Sequence, residues 1–590
     1  MADFKAPLAD IRFLLNEVFD VPALWARLPG LAEVIDPETA SAILEEGARL
    51  TENAIAPLSR NGDEQGCRFE AGVVQTPDGY PSAYRSYAEG GWVGLGGDPA
   101  YGGMGMPKTL AMHFEEMVAA ADTSFGLYPM LTSGACLALL HHASDTLRDQ
   151  YLPRLYSGEW AGAMCLTEAH AGSDLGIIRT RAIPNADGSY AISGTKIFIT
   201  GGEHDLTDNI IHLVLAKLPD SPPGSKGISM FVVPKFLVNA DGSLGERNGF
   251  SCGSIEHKMG IKASATCVMN FDGARGWMVG EANRGLNAMF TMMNYERLGV
   301  GLQGIACGER SYQNAAAYAR ERLQGRSPTG NTGPEGAEPI INHPDVRRML
   351  LTMRAFNEGG RALASYTAQQ LDIAKYSGEP AEQQRAEALI ALLTPVVKAF
   401  CTDRGLDTTV LGQQIFGGHG YIREWGQEQL VRDARIAQIY EGTNGIQAMD
   451  FIGRKVLGSG GTLLTVFTDD IQQWLQQAGE SAAEWRGPLV EARNLLLETA
   501  QKLVTGAAGD SDLPGTAAVN FQDLFGYVAY AYMWARQADA ARRHPQHPLS
   551  DAKLATAQFY YAQLLPRIHA LKIASLAGSS TVMDLAPEAF

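Results

Sequence analysis

Cysteine is scarce in this chain, with seven residues in 590, at positions 67, 136, 165, 252, 267, 307 and 401. None forms a CxxC pair or joins a Cys/His cluster, which excludes a disulfide framework and a thiolate metal site; no metal is expected. No uninterrupted apolar run reaches the ~18 residues that a membrane-spanning helix needs. The opening stretch MADFKAPLADIRFLLNEVF carries an acid at Asp3 and a proline at Pro7 on helically spaced apolar residues. It has the pattern of neither a secretory signal nor an Arg-rich transit peptide, so the expectation is a reducing, cytoplasmic setting. Basic residues are also in deficit: 48 Lys and Arg stand against 65 Asp and Glu, a formal charge of −17. An acidic surface repels phosphate backbones and argues against nucleic acid as a partner, while a local basic cleft can still take an anionic small ligand. There is no fixed-period internal repeat.

The chain that remains has the composition of a folded protein, 45% hydrophobic and 19% charged, and is too long for one core. After an N-terminal extension (1–36), helical spacing runs to residue 160, in PETASAILEEGARLTENAIAPL (37–58), TLAMHFEEMVAAAD (109–122) and LLHHASDTLRDQYLPRLYSG (139–158). A Gly-rich connection, 90–105, separates the first two. From 161 to 282 the texture turns to β-branched runs with turn chemistry; IPNADGSYAISGTKIFIT (183–200) reads as strand, Asp-Gly turn, strand. Long helical patterns return over 283–457 and suggest an antiparallel four-helix bundle, interrupted by a loop at 325–339. GSGG at 458–461 reads as a flexible linker. Four further helical stretches, about 463–479, 485–506, 519–541 and 549–578, make an additional helical domain over 462–590. The fold class is therefore α+β.

Four local patterns carry chemistry. In AMCLTEAHAGSD (163–174), main-chain donors of a Gly-containing turn and the hydroxyls of Thr167 and Ser173 suit a polar ring edge or a phosphate. In KIFITGG (196–202), Phe198 and Thr200 are two apart on a strand, so alternation puts them on one side, the ring covering a flat ligand and the hydroxyl bonding it. In QIFGGHGY (414–421), close glycines let amides approach a pyrophosphate, although a helix and not a strand precedes them, unlike a Rossmann fingerprint. In IYEGT (439–443), Glu441 ends an apolar turn, where a partly desolvated carboxylate is a candidate base. Taken singly, each has a plain structural explanation: a hairpin turn, a buried strand Phe, a glycine-capped helix end, an exposed Glu opening a loop.

Together, in this order across an α–β–α layout, the four patterns resemble the acyl-CoA dehydrogenase family. The resemblance runs from about residue 40 to 455, and the long tail and N-terminal segment resemble its extended bacterial subgroup. It implies an N-terminal helical domain, a middle β domain, a four-helix domain and bound FAD that reaches into a neighbouring subunit. By motif, Leu166, Thr167 and Ser173 would line the flavin and pyrophosphate region, Ser173 also meeting substrate. Phe198, where the family usually has Trp, and Thr200 would flank the isoalloxazine. Ala169 and His170 replace the usual Pro and Gly. Arg322, Gln324, Gln414 and Gly418 would serve the partner subunit's cofactor, which implies a homodimer or a dimer of dimers. Thr443 would contact the adenine half, and Gly445 stands where many members have Gln. Glu441 matches the catalytic carboxylate, beside Gly442 on the substrate. Glu296 stands where some branched-chain and long-chain members carry their base, and Arg297 resembles a substrate-side or base-neighbouring arginine; with the whole IYEGT motif present, Glu441 is favoured.

The implied reaction is α,β-dehydrogenation of a fatty acyl-CoA, of medium to long chain, to the trans-2-enoyl-CoA of β-oxidation, with electrons leaving to electron-transfer flavoprotein. Alternatives are a 3-methylthiopropanoyl-CoA-type dehydrogenase and an acyl-CoA oxidase. A DNA-associated flavoprotein would need a basic tail, and this tail has 13 acids against 9 bases from Gly461 on. The same deficit argues against stable membrane insertion. Arg542 and Arg543, its basic pair, read as a loop beside Pro545 and Pro548. The tail is expected to pack as a bundle, on itself and on the dehydrogenase body.

Overall fold

The computed structural model describes residues 4–328 and 336–590, so residues 329–335 of the expected loop lie outside the described residues. The chain forms two compact units, Glu46–Pro107 with Met117–Gly299, and Met1–Glu45 with Lys108–Glu116 and Val300–Phe590. All seven cysteines are free thiols.

The first unit is built on seven strands, β1 (Trp160–Cys165), β2 (Arg181–Pro184), β3 (Tyr190–Thr200), β4 (Asn209–Lys217), β5 (Ile228–Pro234), β6 (Phe250–Ile255) and β7 (Thr266–Val279). The sheet runs β6-β7-β3-β2-β4-β1, and β5 pairs with both β7 and β4. That double pairing closes β7, β3, β2, β4 and β5 into a ring, which leaves few free edges. Inward side chains such as Ile192, Val214, Phe231 and Phe271 fill it. The β2–β3 turn spans the Asp-Gly pair, with Asn185 N–H donating to Ser189 O at 2.8 Å. Outside the ring lies the helix Thr123–His142, long and apolar enough to cross a membrane, but 72% of its apolar window is buried inside the protein, as in a core helix. Several elements are absent from the sequence reading, among them a short hairpin, Arg68–Glu70 with Val73–Gln75, the helix Tyr80–Glu89 and the strand Phe250–Ile255. The hairpin is only three residues per strand, too short to show a period.

The second unit holds three long helices, Pro344–Tyr376, Pro380–Phe416 and the end of Gly285–Glu321, with the tail helices around them. Two of the helices cross at a mid-helix glycine: a Cβ on Gly304 would lie 2.6 Å from Cys401 O, so only glycine permits this crossing. The tail helix Leu513–Arg543 belongs to the same core. Its Tyr527 and Tyr530 meet Phe400 edge-on at 5.1 and 4.9 Å, and Trp534 Nε1 donates to Ala355 O at 3.0 Å.

The 458–461 stretch is not a flexible linker. Gly458, Gly460 and Gly461 N–H groups bond back to Gly453, Leu457 and Val456 carbonyls at 2.8–2.9 Å. Gly460 and Gly461 take left-handed φ of 59° and 84°, so the glycines cap a helix end in a tight turn. Arg542 and Arg543 are likewise not in a loop: they end the long tail helix and pair with Glu484 and Asp539.

Buried charge joins the segments of this unit. Arg361, fully buried, donates from Nε and Nη2 to Glu116 at 2.6–3.0 Å, from Nη2 to Glu309 at 3.1 Å, and also to Asp10. Lys553, also fully buried, donates to Glu358 at 2.6 Å, Gln537 Oε1 at 2.7 Å and Asp10. Burial pushes the Asp10 carboxyl up, but the two cations outweigh it and hold it at about 2.

Candidate active site

The candidate residues fall in both units, and each group is held by its own scaffold. In the β unit, β1 runs into the loop carrying Leu166, Thr167 and Ser173. Lys196, fully buried on β3, donates to Leu166 O at 2.8 Å and to Glu168 at 2.9 Å. Glu168 in turn accepts from Arg179 N, Thr180 N and the Thr180 hydroxyl at 2.6–3.0 Å. Burial raises the Glu168 carboxyl, but Lys196 and these donors hold it at about 2. Ile197 N–H donates to Thr167 O at 2.9 Å. The loop is therefore pinned through its carbonyls. Leu166 is buried, Thr167 half-buried and Ser173 exposed. His170, in the place of the family's glycine, anchors on Ile177 O at 3.0 Å.

Phe198 departs from simple alternation. The β3–β7 register shifts between Ile199 and Lys196, and within that bulge Phe198 has φ +59°. Its ring is 59% exposed, whereas Thr200 is half-buried on the regular strand. Two residues of separation therefore do not by themselves place ring and hydroxyl on one side; the bulge re-aims the ring. A left-handed Phe costs on the order of 1 kcal/mol or more, and such strain concentrates at ligand sites.

Glu296 and Arg297 lie on the helix Gly285–Glu321. Glu296 is fully buried against Gly134, where a Cβ would fall on Glu296 Oε1 and 2.9 Å from Met292. Arg297 is half-buried, donates to Asn294 Oδ1 at 3.3 Å and lies 5.8 Å from the Phe290 ring.

In the helical unit, Arg322 and Gln324 are exposed on a short paired segment, with Gln324 N–H donating to Glu338 O at 3.0 Å and Ile340 N–H to Arg322 O at 2.8 Å. Gln414 is exposed in the last turn of Pro380–Phe416. Gly417 follows with φ +59°, and Gly418 is exposed in the turn. Behind that turn Tyr318 stacks on Phe416 at 4.2 Å and its hydroxyl meets His419 Nδ1 at 2.9 Å; His419 stacks on Trp425 at 4.3 Å. Tyr421 beside it is 83% exposed.

Glu441 is half-buried in a turn where it and Gly442 are both left-handed, φ +57° and +83°. Thr443, exposed, caps the helix Asn444–Asp450 by accepting from Ile446 N–H at 3.3 Å; Gly445 is exposed. Gln447 donates to the carbonyls of Glu441 and Gly442 at 3.0 and 3.3 Å. The same helix leads into Phe451, whose ring meets Phe521 and Phe525 of the tail at 5.8 and 5.1 Å. Lys196, Glu168, Lys398, Asn444 and Gln447 were missed from sequence. A signal existed for Lys398, a lone cation inside the apolar run LLTPVVKAF.

Among the described residues no group of three or more His, Cys, Asp or Glu is placed to hold a metal. An exposed aromatic face, three hydroxyls and a carbonyl-pinned loop form a donor set that suits a flat heteroaromatic with polar edges. A closed sheet has helices on both sides of it in sequence, and a half-buried carboxylate sits on a strained turn. The sequence matches the acyl-CoA dehydrogenase N-terminal domain over 37–159, the middle domain over 163–274 and the C-terminal domain over 283–457, followed by the acetyl-CoA dehydrogenase C-terminal-like domain over 467–586. It is 45% identical over 569 residues to the 3-methylmercaptopropionyl-CoA dehydrogenase of Ruegeria pomeroyi, covering 95% of this chain and 96% of that protein. It is 33% identical over 616 residues to a broad-specificity linear acyl-CoA dehydrogenase of Mycobacterium tuberculosis, over the whole of both chains. An acyl-CoA dehydrogenase of Bacillus anthracis, solved with FAD, shares the fold with a TM-score of 0.75 at 23% identity, over 97% of this chain and 92% of that one. The chain belongs to the acyl-CoA dehydrogenase family, FAD-dependent oxidoreductases that act on CH–CH bonds.

Proposed function

We propose that this protein dehydrogenates a short acyl-CoA of the 3-methylthiopropanoyl type across its α,β bond, with Glu441 as the base. The observation that carries the chemistry is the Glu441 turn: a carboxylate on a left-handed backbone, its own and the next carbonyl bonded by buried side chains. Strain of that kind persists only where the surroundings enforce one geometry. An α-proton beside a thioester is too weakly acidic for a carboxylate in water. Hydrogen-bond donors aimed at the thioester oxygen lower that barrier by stabilising the developing enolate. In the resemblance, the Glu441 backbone N–H is one such donor. Bound FAD supplies the two-electron acceptor for the β-hydrogen. Leu166, Thr167, Ser173, Phe198 and Thr200 would hold it in this chain, and Arg322, Gln324, Gln414 and Gly418 would hold the partner subunit's.

One observation favours the short thioether substrate over a medium- or long-chain one. The relative at 45% identity, spanning nearly both chains, is named for that substrate, against 33% for the linear acyl relative. Electrons would pass to electron-transfer flavoprotein, and the cytoplasm is the compartment we propose.

Initial rates with 3-methylthiopropanoyl-, butanoyl-, octanoyl- and palmitoyl-CoA test the substrate. The highest kcat/KM is expected for the first, and a maximum at octanoyl or palmitoyl restores the longer-chain reading. Glu441→Gln should abolish turnover with flavin retained, since the amide keeps the shape without the basic lone pair. Activity in Glu441→Gln together with its loss in Glu296→Gln would move the base to Glu296. Stoichiometric peroxide release in air, in place of slow reoxidation, would identify an oxidase.

A further inference from the structure

The turn that presents Glu441 does not hold itself. A glutamate in the left-handed conformation, here Glu441 before a left-handed Gly442, is unfavourable without outside support. The support comes from beneath. Lys398, fully buried on the bundle helix Pro380–Phe416, donates from Nζ to Gly442 O at 2.9 Å and to Asn444 Oδ1 at 2.8 Å. Asn444 is itself tied to that helix, its Nδ2 donating to Ala399 O at 3.2 Å, Thr402 Oγ1 at 3.0 Å and Asp403 Oδ1 at 2.7 Å. One ammonium thus bridges the carbonyl just past Glu441 and the first residue of the next helix.

A buried ammonium is an expensive way to fasten a turn. Desolvating it costs several kcal/mol, and a neutral donor or an apolar contact stabilises a fold at lower cost. Its advantage is precision: three donors on a compact head fix the Gly442 peptide relative to a rigid helix. The carbonyl so fixed belongs to the Gly442–Thr443 peptide, one residue past Glu441.

We infer that Lys398 is a positioning residue for the reaction, holding the Glu441–Gly442 turn in the single attitude from which the carboxylate removes the α-proton. The inference rests on the reading of Glu441 as the base. The proton passes from the substrate Cα to the Glu441 carboxylate; Lys398 neither gives nor takes one.

Lys398→Met removes the hydrogen bonds to Gly442 O and Asn444 Oδ1 at nearly constant volume. Three readouts on the flavin-loaded full-length enzyme test it. The first is deuterium uptake by the 441–447 amides, followed by mass spectrometry, which needs no substrate. The second is exchange into D2O of the α-hydrogen of a 3-thia acyl-CoA, whose sulfur at the β position blocks hydride loss, so that only proton removal is read. The third is flavin content with KM.

Expected are at least tenfold faster amide exchange in the turn and α-hydrogen exchange slowed on the order of 10²-fold, the usual cost of a small misplacement. Flavin content and KM should stay within about threefold, as for a residue that orients the base and does not bind. Lys398→Gln, a shorter neutral donor, should recover part of the rate. A folded, flavin-loaded Lys398→Met with α-exchange within threefold of wild type overturns the inference. So does failure of both variants to fold, which would make Lys398 structural only. Glu441→Gln is run alongside. If it still exchanges the α-hydrogen, the base reading fails; if it is dead while Lys398→Met is normal, only the positioning role fails.

Discussion

Lys553→Met should lower the stability of the helical unit far more than a surface change would. The ammonium is fully buried, and its partners Asp10 and Glu358 lie 543 and 195 residues away in sequence. Removing one member of a buried ion pair typically costs 3–5 kcal/mol, because a charge is left without compensation. Here each orphaned carboxylate keeps a second cation, Arg361 for Asp10 and Arg354, at 2.6 Å, for Glu358. That places the loss at the low end, about 3 kcal/mol, or a fall of about 6 °C at roughly 2 °C per kcal/mol. Differential scanning fluorimetry reads it. The acid limb gives a second measure. Asp10 is held at about 2 in the folded protein against an ordinary 3.8. Its stabilising contribution is therefore complete above about pH 4 and lost as pH falls toward 2. Without Lys553 the folded-state value rises, and acid unfolding should begin at higher pH. Asp10→Asn in the Lys553→Met background should cost less than in wild type, with a coupling of about 1 kcal/mol or more. A wild-type melting temperature in Lys553→Met, or strictly additive losses, would refute the idea that the two residues form one buried assembly.

Lys196→Met should loosen flavin at least tenfold, read by equilibrium dialysis, because Leu166 O and Glu168 lose their shared donor; unchanged retention would show that the loop is held elsewhere. Glu168 is depressed to about 2 from 4.5, so its contribution in wild type is complete above pH ~4.5 and lost toward pH 2, and in the variant that loss should move to higher pH. Truncation after Gly458 should bare Phe400 and Phe451 and produce aggregation by light scattering; a soluble, active truncation would show the tail to be dispensable. The full chain should not co-sediment with anionic liposomes at physiological salt, its tail aromatics being committed to internal packing. Light scattering should give a dimer or tetramer, since exposed Arg322, Gln324, Gln414 and Gly418 are assigned to a partner's cofactor; a monomer with stoichiometric flavin would contradict that assignment.

How far the sequence could be read depended on the range of the forces involved. The helices and most strands of the β domain follow from local periodicity and turn chemistry, and the family from four motifs in order; the closure of the sheet does not. What local pattern could not supply was backbone sign and distant pairing. Phe198 sits in an alternating strand by sequence, yet a bulge turns it left-handed and outward. GSGG has the composition of a linker, yet its glycines are needed for positive φ at a helix end. Lys398 and Lys196 are each single cations in apolar runs. Their roles appear only when distant carbonyls arrive, and no spacing rule connects residue 398 to residue 442. The tail's aromatics were legible as core material; that they would meet Phe400 and Phe451 was not.

The buried assembly around Asp10 and Lys553 also imposes an order on biosynthesis. Asp10 leaves the ribosome among the first residues, and Lys553 is made 543 residues later. At roughly 5–20 residues per second, the interval is about half a minute to two minutes. Until its end Asp10, and Glu358 on the helix Pro344–Tyr376, lack their final cation, and the rings that cover Phe400 and Phe451 are made only shortly before it. The β unit can close on the nascent chain well before this, as every one of its residues lies before position 300. The buried ion cluster of the helical unit must wait for nearly the whole polypeptide.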